Sequence, residues 1–540
     1  MNLRSKDAPL EDSIAKMQAI LETFSYNVTF AKEKHPLPYC FSINLASQEA
    51  PFHIYSNGKG SLSASSRASA LGEYIERLQT NNFFSDFHLP GRAYYPDEAV
   101  FDFGGDFLSS TLKALYNPDG ELGDEDWVDF NSDFEDKIVA LPFVESSTQK
   151  RVFFPVNILN NLYVSNGLAS GNTPYEAKVQ ALSEVYERYV KFEILKNGYA
   201  LPCFPDELIH SFTKLSSDLK TLQDAGFIVS VHDASLGGKF PVTAISLINP
   251  KNASLFLSFG AHPILEVSLE RTMSELMQGR LMDNLDAFET PTFDDDIVKD
   301  NFNLEAHFID SNGKISFSFL NTRKSFAYTP WVYESLGSEH EYHYLTYIAQ
   351  TLKKEIYIRE YTYLGFYSCQ LIVPGLSEVY PLEDMIYQNR NAGKFIRPLV
   401  LNFTSQKPNA LLEATDALED SLNMEKYIGV IFKTNFTMLE FKIQSHLLLG
   451  NDEDALLLLG DSEHFLAKLL SELLRLKLQK RKWCEYEQGF NALFGASNVA
   501  LARSIIAKKA YFIDVSLHPH YENMLAMYDN LATQKALMLR

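Results

Sequence analysis

Two rhythms of apolar and polar positions run along this chain. Up to about residue 375, apolar runs of strand length recur between turn-forming residues: 39–44, 138–143, 151–156, 227–232, 242–247, 254–259, 355–361 and 367–373. Between them lie stretches with apolar residues three and four apart. Ile14, Met17, Ile20 and Leu21 mark a helix within residues 7–24, and further helices fall near 211–225 and 341–353. Strands interleaved with helices in this way predict an α+β fold, with helices packed on antiparallel sheets. From about Pro398 the strand rhythm fades and leucine-rich helical spacing takes over. The pattern therefore divides the chain into an α+β domain, 1–397, and an all-α domain, 398–540. Two stretches follow neither rhythm: 90–137, and a mixed, acidic insertion over 286–340, whose Asp294-Asp295-Asp296 run reads as a solvated loop, with metal binding as the alternative.

One short word appears twice. Ser69-Ala70-Leu71-Gly72-Glu73-Tyr74-Ile75-Glu76-Arg77 and Gln180-Ala181-Leu182-Ser183-Glu184-Val185-Tyr186-Glu187-Arg188 share Ala-Leu, a small residue and Glu-x-x-Glu-Arg, offset by 111 positions (73 to 184). Each follows a Ser-Asn-Gly, at Ser56-Asn57-Gly58 and Ser165-Asn166-Gly167, read in both places as a turn. On a helix, residues three and four apart share a face. Glu73 and Glu76 therefore project together, with Ser69 one turn back. Glu176, Gln180, Glu184, Glu187 and Arg188 make a longer stripe behind the helix start Asn172-Thr173-Pro174. A third helix, from Glu266 to Gln278, carries Arg271 and Glu275 one turn apart. A single motif of this kind is most simply a wet acidic face. Its repetition predicts an internal pseudo-repeat and a shared cleft. Neighbouring carboxylates repel unless a cation sits between them. Several facing one cleft make a hard-oxygen site suited to Mg2+, the more so when a phosphate supplies the remaining oxygens.

Composition narrows the partners more than the fold. The 540 residues carry a formal charge of −21, against any general affinity for nucleic acid or anionic membranes. The 46% hydrophobic and 13% aromatic content fits a globular protein with a well-filled core. No apolar run reaches the roughly 20 residues that span a bilayer. Met1 to Lys6 open no signal-like segment, so a cytoplasmic location is expected. Cys40, Cys203, Cys369 and Cys484 form no Cys-x-x-Cys pair and read as buried, reduced thiols.

No P-loop, dinucleotide fingerprint, kinase signature set or serine elbow occurs. A nucleotide site here must be built differently. Glu73, Glu76, Glu184, Glu187 and Glu275 supply the oxygen ligands for Mg2+. Arg188 and Arg271 are the phosphate clamps, because guanidinium pairs bidentately with phosphate. Asn172 and the 165–171 loop add donors at a helix N-terminus. Lys59 is a weak signal alone. The expectation is Mg2+ held by carboxylates and bridging a polyphosphate, with Glu187, Arg188 and Arg271 as catalytic candidates.

At these residues the chain resembles the YcaO superfamily. The resemblance is carried by Ser56-Asn57-Gly58-Lys59-Gly60, by both Glu-x-x-Glu-Arg helices, by Gly171-Asn172-Thr173-Pro174 and by Val373-Pro374-Gly375-Leu376. It is densest over 54–279 and looser in the C-terminal helical region. It implies ATP and Mg2+ as cofactors without a P-loop. It implies nucleotide contacts at Lys6, Ser13, Ser69, Asn172, Glu176, Arg188 and Arg271, and Mg2+ ligation by Glu73, Glu76, Glu184, Glu187 and Glu275. Lys6 and Ser13 enter only through the resemblance. Members of the family activate a peptide amide oxygen with ATP, making it a leaving group, and form azolines or thioamides. Azoline-forming members often end in a proline-rich tail, whereas the last proline here is Pro519. Residues 447–456 instead have the turn grammar of a tetratricopeptide-like helix pair, with a plain helical bundle as the alternative. This combination resembles the stand-alone subgroup that acts as accessory factor for β-methylthiolation of an aspartate in a small-subunit ribosomal protein. The radical iron–sulfur methylthiotransferase of that pathway is a separate protein. The expected partners are ATP, a protein or peptide substrate and a second copy in a homodimer, with the C-terminal domain mediating contact. Two other readings stay open: an azoline-forming or thioamidating enzyme, and a non-catalytic ATP-binding scaffold.

Overall fold

The computed structural model describes residues 3–48, 50–51, 54–285, 287–309, 311–383, 385 and 391–537. The end of the C-terminal run, Met538-Leu539-Arg540, lies outside them. Among the described residues three antiparallel sheets form. In the first, Cys40–Ser47 (β3) pairs with Val28–Phe30 (β1), Lys34–Leu37 (β2) and Tyr55–Gly60 (β4). Ala99–Asp102 (β5), Lys137–Glu145 (β6), Arg151–Pro155 (β7) and Leu168–Gly171 (β8) belong to the second. A three-stranded meander follows, Ile228–Asp233 (β9), Val242–Asn249 (β10) and Ser254–Ala261 (β11). Tyr357–Tyr361 (β12) and Tyr367–Ile372 (β13) complete the second sheet in the order β5-β6-β12-β13-β8, with β7 also on β6. The fold is α+β with antiparallel sheets, as the two rhythms predict.

Seven helices concern the site and its support: Leu10–Thr23 (α1), Ser63–Gln79 (α2), Pro174–Asn197 (α3), Leu265–Met277 (α4), Ser338–Thr351 (α5), Ala392–Leu401 (α6) and Pro519–Leu537 (α7). The start of α3 follows its sequence signal. The Thr173 hydroxyl accepts from the Glu176 N–H at 3.2 Å, Pro174 takes the first turn, and Gly198 closes the helix at φ 59°.

Ser56-Asn57-Gly58 is not a turn. It lies within β4, opposite Leu45, Asn44 and Ile43 of β3. Glycine is needed there for close packing: a Cβ on Gly58 would stand 1.9 Å from the Ser66 carbonyl oxygen of α2. The device recurs twice. A Cβ on Gly171 of β8 would stand 2.7 Å from the Ala177 nitrogen of α3, and one on Gly260 of β11 2.6 Å from the Thr272 nitrogen of α4. Each acidic helix thus rests on its own strand at a distance that only glycine permits. The second Ser-Asn-Gly is a turn, with Gly167 at φ 79°, and the last residues of the 165–171 loop are strand β8.

Beyond β13 no further strand forms among the described residues. Helix α6 crosses the 397/398 boundary with Pro398 inside it. One apolar cluster runs from Met17 and Leu21 of α1 through Tyr74 and Ile75 of α2 to Phe441, Leu470 and Tyr528. The C-terminal helices therefore share a core with the sheets. As the sequence predicts, Gly450 ends a helix, Met438–Leu449, at φ 85°, and fully buried Ala455 packs in the next, Asp452–Leu459. Helix α7 returns to the first hundred residues. Asp529 accepts two bonds from Arg92 at 2.7 and 2.9 Å. Buried Lys535 donates to Asn81 Oδ1 at 2.6 Å and to the Tyr94 carbonyl at 2.9 Å, beneath the rings of Tyr95 and Tyr528.

Two smaller expectations change. Asp294 is a helix cap and not a loop residue: its carboxylate accepts from the Ile297 N–H at the head of Asp295–Lys299. Cys203 and Cys484 are exposed, while Cys40 and Cys369 are buried; all four are free thiols. No described helix is long and apolar enough to cross a membrane.

Candidate functional site

The cleft lies where α2, α3 and α4 meet. Helix α2 sits on the first sheet and also reaches β8, α3 lies between β8, β13 and β11, and α4 covers β10 and β11 and touches β4. Three glycine-seated helices therefore turn their acidic faces inward. All five predicted carboxylates come within one another's field, but mostly as arms of ion pairs. Glu73 pairs with Arg77 at 2.8 Å, Glu184 with Arg188 at 2.7 Å, and Glu275 with Lys59. Glu187 Oε2 accepts the Ala261 N–H at 3.2 Å. Among the described residues no three His, Cys, Asp or Glu side chains are already grouped as a metal cage.

Burial dominates the electrostatics of this cluster, in which five carboxylates meet five cations, Lys59, Arg77, Arg188, Lys191 and Arg271. Burial raises Glu73, more than Arg77 and Lys59 hold it down. Burial pushes Glu76 well above the carboxylate range, with Glu73 and Glu184 adding to the rise against Arg77. Burial, then repulsion from Glu275, pushes Glu187 up to about 7. Glu275 alone is held down, because Lys59 outweighs its burial. Lys191, one turn beyond Glu187, is lowered by burial to about 8 despite Glu187 and Glu275. It donates to the His307 carbonyl at 2.6 Å.

The cationic side is partly spent and partly open. Arg271 donates to the Ala261 carbonyl at 2.9 Å and to Gln180, which fixes its plane against α3. Arg188 lies over the Phe308 ring at 4.6 Å, and its Nη1 is buried without a hydrogen-bond partner. An unpartnered buried guanidinium nitrogen beside raised carboxylates suits an anion carrying its own cation. The donor set, hard oxygens plus guanidinium, fits Mg2+ and a polyphosphate.

The predicted nucleotide contacts form a second, connected group. Lys6 Nζ lies 3.1 Å from Glu176 Oε1, and the Asp7 N–H donates to Glu176 Oε2 at 3.0 Å. Asn172 Nδ2 donates to both Glu176 oxygens at 3.2 and 3.0 Å. The Ser13 hydroxyl donates to Asn172 Oδ1 at 2.9 Å. Lys6, Ser13, Asn172 and Glu176 are thus one network, joining the start of α1 to the start of α3. These bonds keep buried Glu176 ionised, Lys6 foremost in overcoming its burial. Ser69 stands half-buried on α2, one turn before Glu73. Sequence reasoning left out Arg77, Lys191 and Asp7. Arg77 belongs to the repeated word and was legible there. Lys191 was legible as the i+4 neighbour of Glu187. Asp7 carried no signal.

The chain belongs to the YcaO family. The family model described as "YcaO cyclodehydratase, ATP-ad Mg2+-binding" matches residues 57–377, so ATP and Mg2+ are the cofactors. The chain is 35% identical, over 98% of both chains, to the Ribosomal protein S12 methylthiotransferase accessory factor YcaO of Escherichia coli. It is 40% identical, over 84% of this chain and 81% of that one, to an uncharacterized protein of Haemophilus influenzae. Among solved structures, the YcaO from Methanopyrus kandleri bound with AMPPCP and Mg2+ matches 71% of this chain and 94% of its own, at 15% identity and a TM-score of 0.45.

Proposed function

We propose that this chain is a cytoplasmic, Mg2+-dependent, ATP-hydrolysing accessory factor for β-methylthiolation of an aspartate in a small-subunit ribosomal protein. Full-length similarity to the Escherichia coli accessory factor supports the pathway. The observation that carries the nucleotide reading is the Lys6–Glu176–Asn172–Ser13 network at the head of α3, the helix that carries Glu184 and Glu187. When bound, ATP supplies the transferable phosphoryl group and Mg2+ neutralises its charge.

The chain's residues bind and orient. Glu176 and Asn172 hold Lys6 and Ser13 against the head of α3. Glu73, Glu76, Glu184, Glu187 and Glu275 offer oxygens to the cation, with Glu187 fixed by the Ala261 N–H. Arg188 presents Nη1 to phosphate while its other arm holds Glu184. Arg271, braced by Ala261 and Gln180, clamps the opposite side. The division at residues 397/398 and the tetratricopeptide-like character of the C-terminal helices belong to the same reading. Exposed Leu457, Phe465 and Leu493 there suit contact with a protein partner or a second copy.

ADP release should require added Mg2+ and collapse in Glu187→Gln; robust turnover by that variant rejects the assignment. Mass spectrometry of ribosomal proteins from a strain lacking the gene tests the pathway, and an unchanged modification removes it. The family description favours a second reading, ATP-dependent activation of a peptide amide. Stimulation of ADP release by a peptide substrate, with loss of water or gain of sulfur in the product, would select it.

A further inference from the structure

The short segment ahead of α1 reaches several parts of the cleft within four residues. Arg4 pairs with Glu266 of α4 at 2.5 Å. Ser5 meets His262 just past β11 and Glu341 of α5. Lys6 and the Asp7 N–H bind Glu176 of α3. The Asp7 carboxylate accepts from Thr173 and from Ser338, the latter at 2.6 Å.

At the middle of this strap is a buried knot. His262 and Glu341 are both fully buried. His262 Nδ1 accepts the Ile264 N–H at 3.0 Å, which leaves the ring proton on Nε2. That nitrogen faces Ser5 Oγ at 2.8 Å and Glu341 Oε2 at 3.5 Å. Ser5 Oγ donates to the same Glu341 oxygen at 2.5 Å, and Ser335 donates to the other. Ser5 also sits at φ 59°, a left-handed conformation that is unfavourable for serine and persists only where its surroundings fix it. The knot is one residue from the chemistry along the backbone. His262 follows Ala261, whose N–H holds Glu187 and whose carbonyl holds Arg271.

We propose that Ser5, His262 and Glu341 are positioning residues: they tie the N-terminal strap to the end of β11, so that Lys6 is held at the nucleotide beside Glu187 and Arg271. This rests on the reading of Lys6 as a nucleotide contact. None of the three residues need touch the nucleotide; they act through Lys6.

The test uses the full chain with Mg2+ and a non-hydrolysable ATP analogue in titration calorimetry, together with KM and kcat for ADP release. Ser5→Gly removes the hydroxyl and takes up the left-handed backbone without strain. Ser5→Gly and Glu341→Gln are expected to weaken analogue binding about tenfold, the scale of one or two lost hydrogen bonds to a charged group. The change should appear in KM, with kcat within about twofold of the parent. Lys6→Ala should weaken binding at least as much, and adding Ser5→Gly to it should cost less than about twofold more, because both act through one amine. Parent-like binding by Ser5→Gly, or losses that add in full, overturns the inference. Parent-like binding by Lys6→Ala overturns instead the nucleotide reading beneath it. Should Glu341→Gln unfold, Ser5→Gly at the half-buried chain end still decides.

Discussion

Gly58→Ala puts one methyl group between β4 and α2. The added carbon would stand 1.9 Å from the Ser66 carbonyl oxygen, 2.6 Å from the Ala70 nitrogen and 2.8 Å from the Ala70 Cβ. The two nearest atoms are helix backbone, so no side chain can swing away. Restoring an ordinary separation of about 3.5 Å requires α2 to withdraw by on the order of 1.5 Å. Withdrawal would also stretch the buried 2.7 Å bond from Ser56 Oγ to the Ala70 carbonyl. Overpacking of this kind costs about 1–3 kcal/mol. The functional loss should be larger, because Glu73 and Glu76 ride on α2, and a misplacement of about 1 Å in a reacting constellation costs roughly a hundredfold. We expect Gly58→Ala to fold, with a lowered thermal midpoint by circular dichroism, and to release ADP about a hundredfold more slowly at saturating Mg2+ and ATP. Turnover within about threefold of the parent would show that the seat of α2 does not govern the cleft.

Gly489→Ala is the converse case. Nothing lies within 4 Å of a Cβ there and the residue is inside the helix Glu487–Phe494, so stability should rise by about 0.5–1 kcal/mol in urea denaturation, with turnover unchanged. Arg188→Lys keeps the charge but loses the two-armed fork between Glu184 and the open Nη1; kcat for ADP release should fall on the order of a hundredfold. Stability should also depend on acid pH through the knot. Burial holds His262 at about 4 against an ordinary 6.5, so the unfolded chain takes up that proton first. Stability then falls as pH drops from 6.5 towards 4, by up to about 1.4 kcal/mol per pH unit. Glu341 is buried, yet bonds from His262, Ser335 and Ser5 hold it at about 2 against 4.5. Its share is present above 4.5 and lost as pH falls towards 2. His262→Gln should flatten the upper slope in urea midpoints taken at several pH values; an unchanged slope would assign it elsewhere.

The sequence showed the strands between 138 and 373 and the three acidic helices because apolar spacing and caps are local signals. Two copies of Glu-x-x-Glu-Arg were enough to foresee a shared cleft, since helical period alone decides which residues face together. The first Ser-Asn-Gly misled, because those residues favour turns and a helix–strand seat at the same time. Only the pairing of Asn57 with Asn44 distinguishes the two. The ion pairs inside the cleft were hidden for a related reason. Lys59 lies 216 residues before Glu275, and nothing local announces that bond. The strap is the extreme case: Ser5 meets Glu341 across 336 positions. Lys6 and Ser13 became visible through family resemblance, whereas Ser5 and His262 had neither pattern nor likeness to mark them.

The return of α7 to residues 81–94 bears on how the molecule is made. Arg92, Tyr94 and Asn81 leave the ribosome 437, 441 and 454 residues ahead of their partners in α7. At roughly 5–20 residues per second, the floor beneath α2 waits tens of seconds for its cover. The packing around residues 81–94 is therefore completed only after α7 has been made. A chain stopped before residue 519 would then leave an apolar surface open, a client for chaperones and proteases.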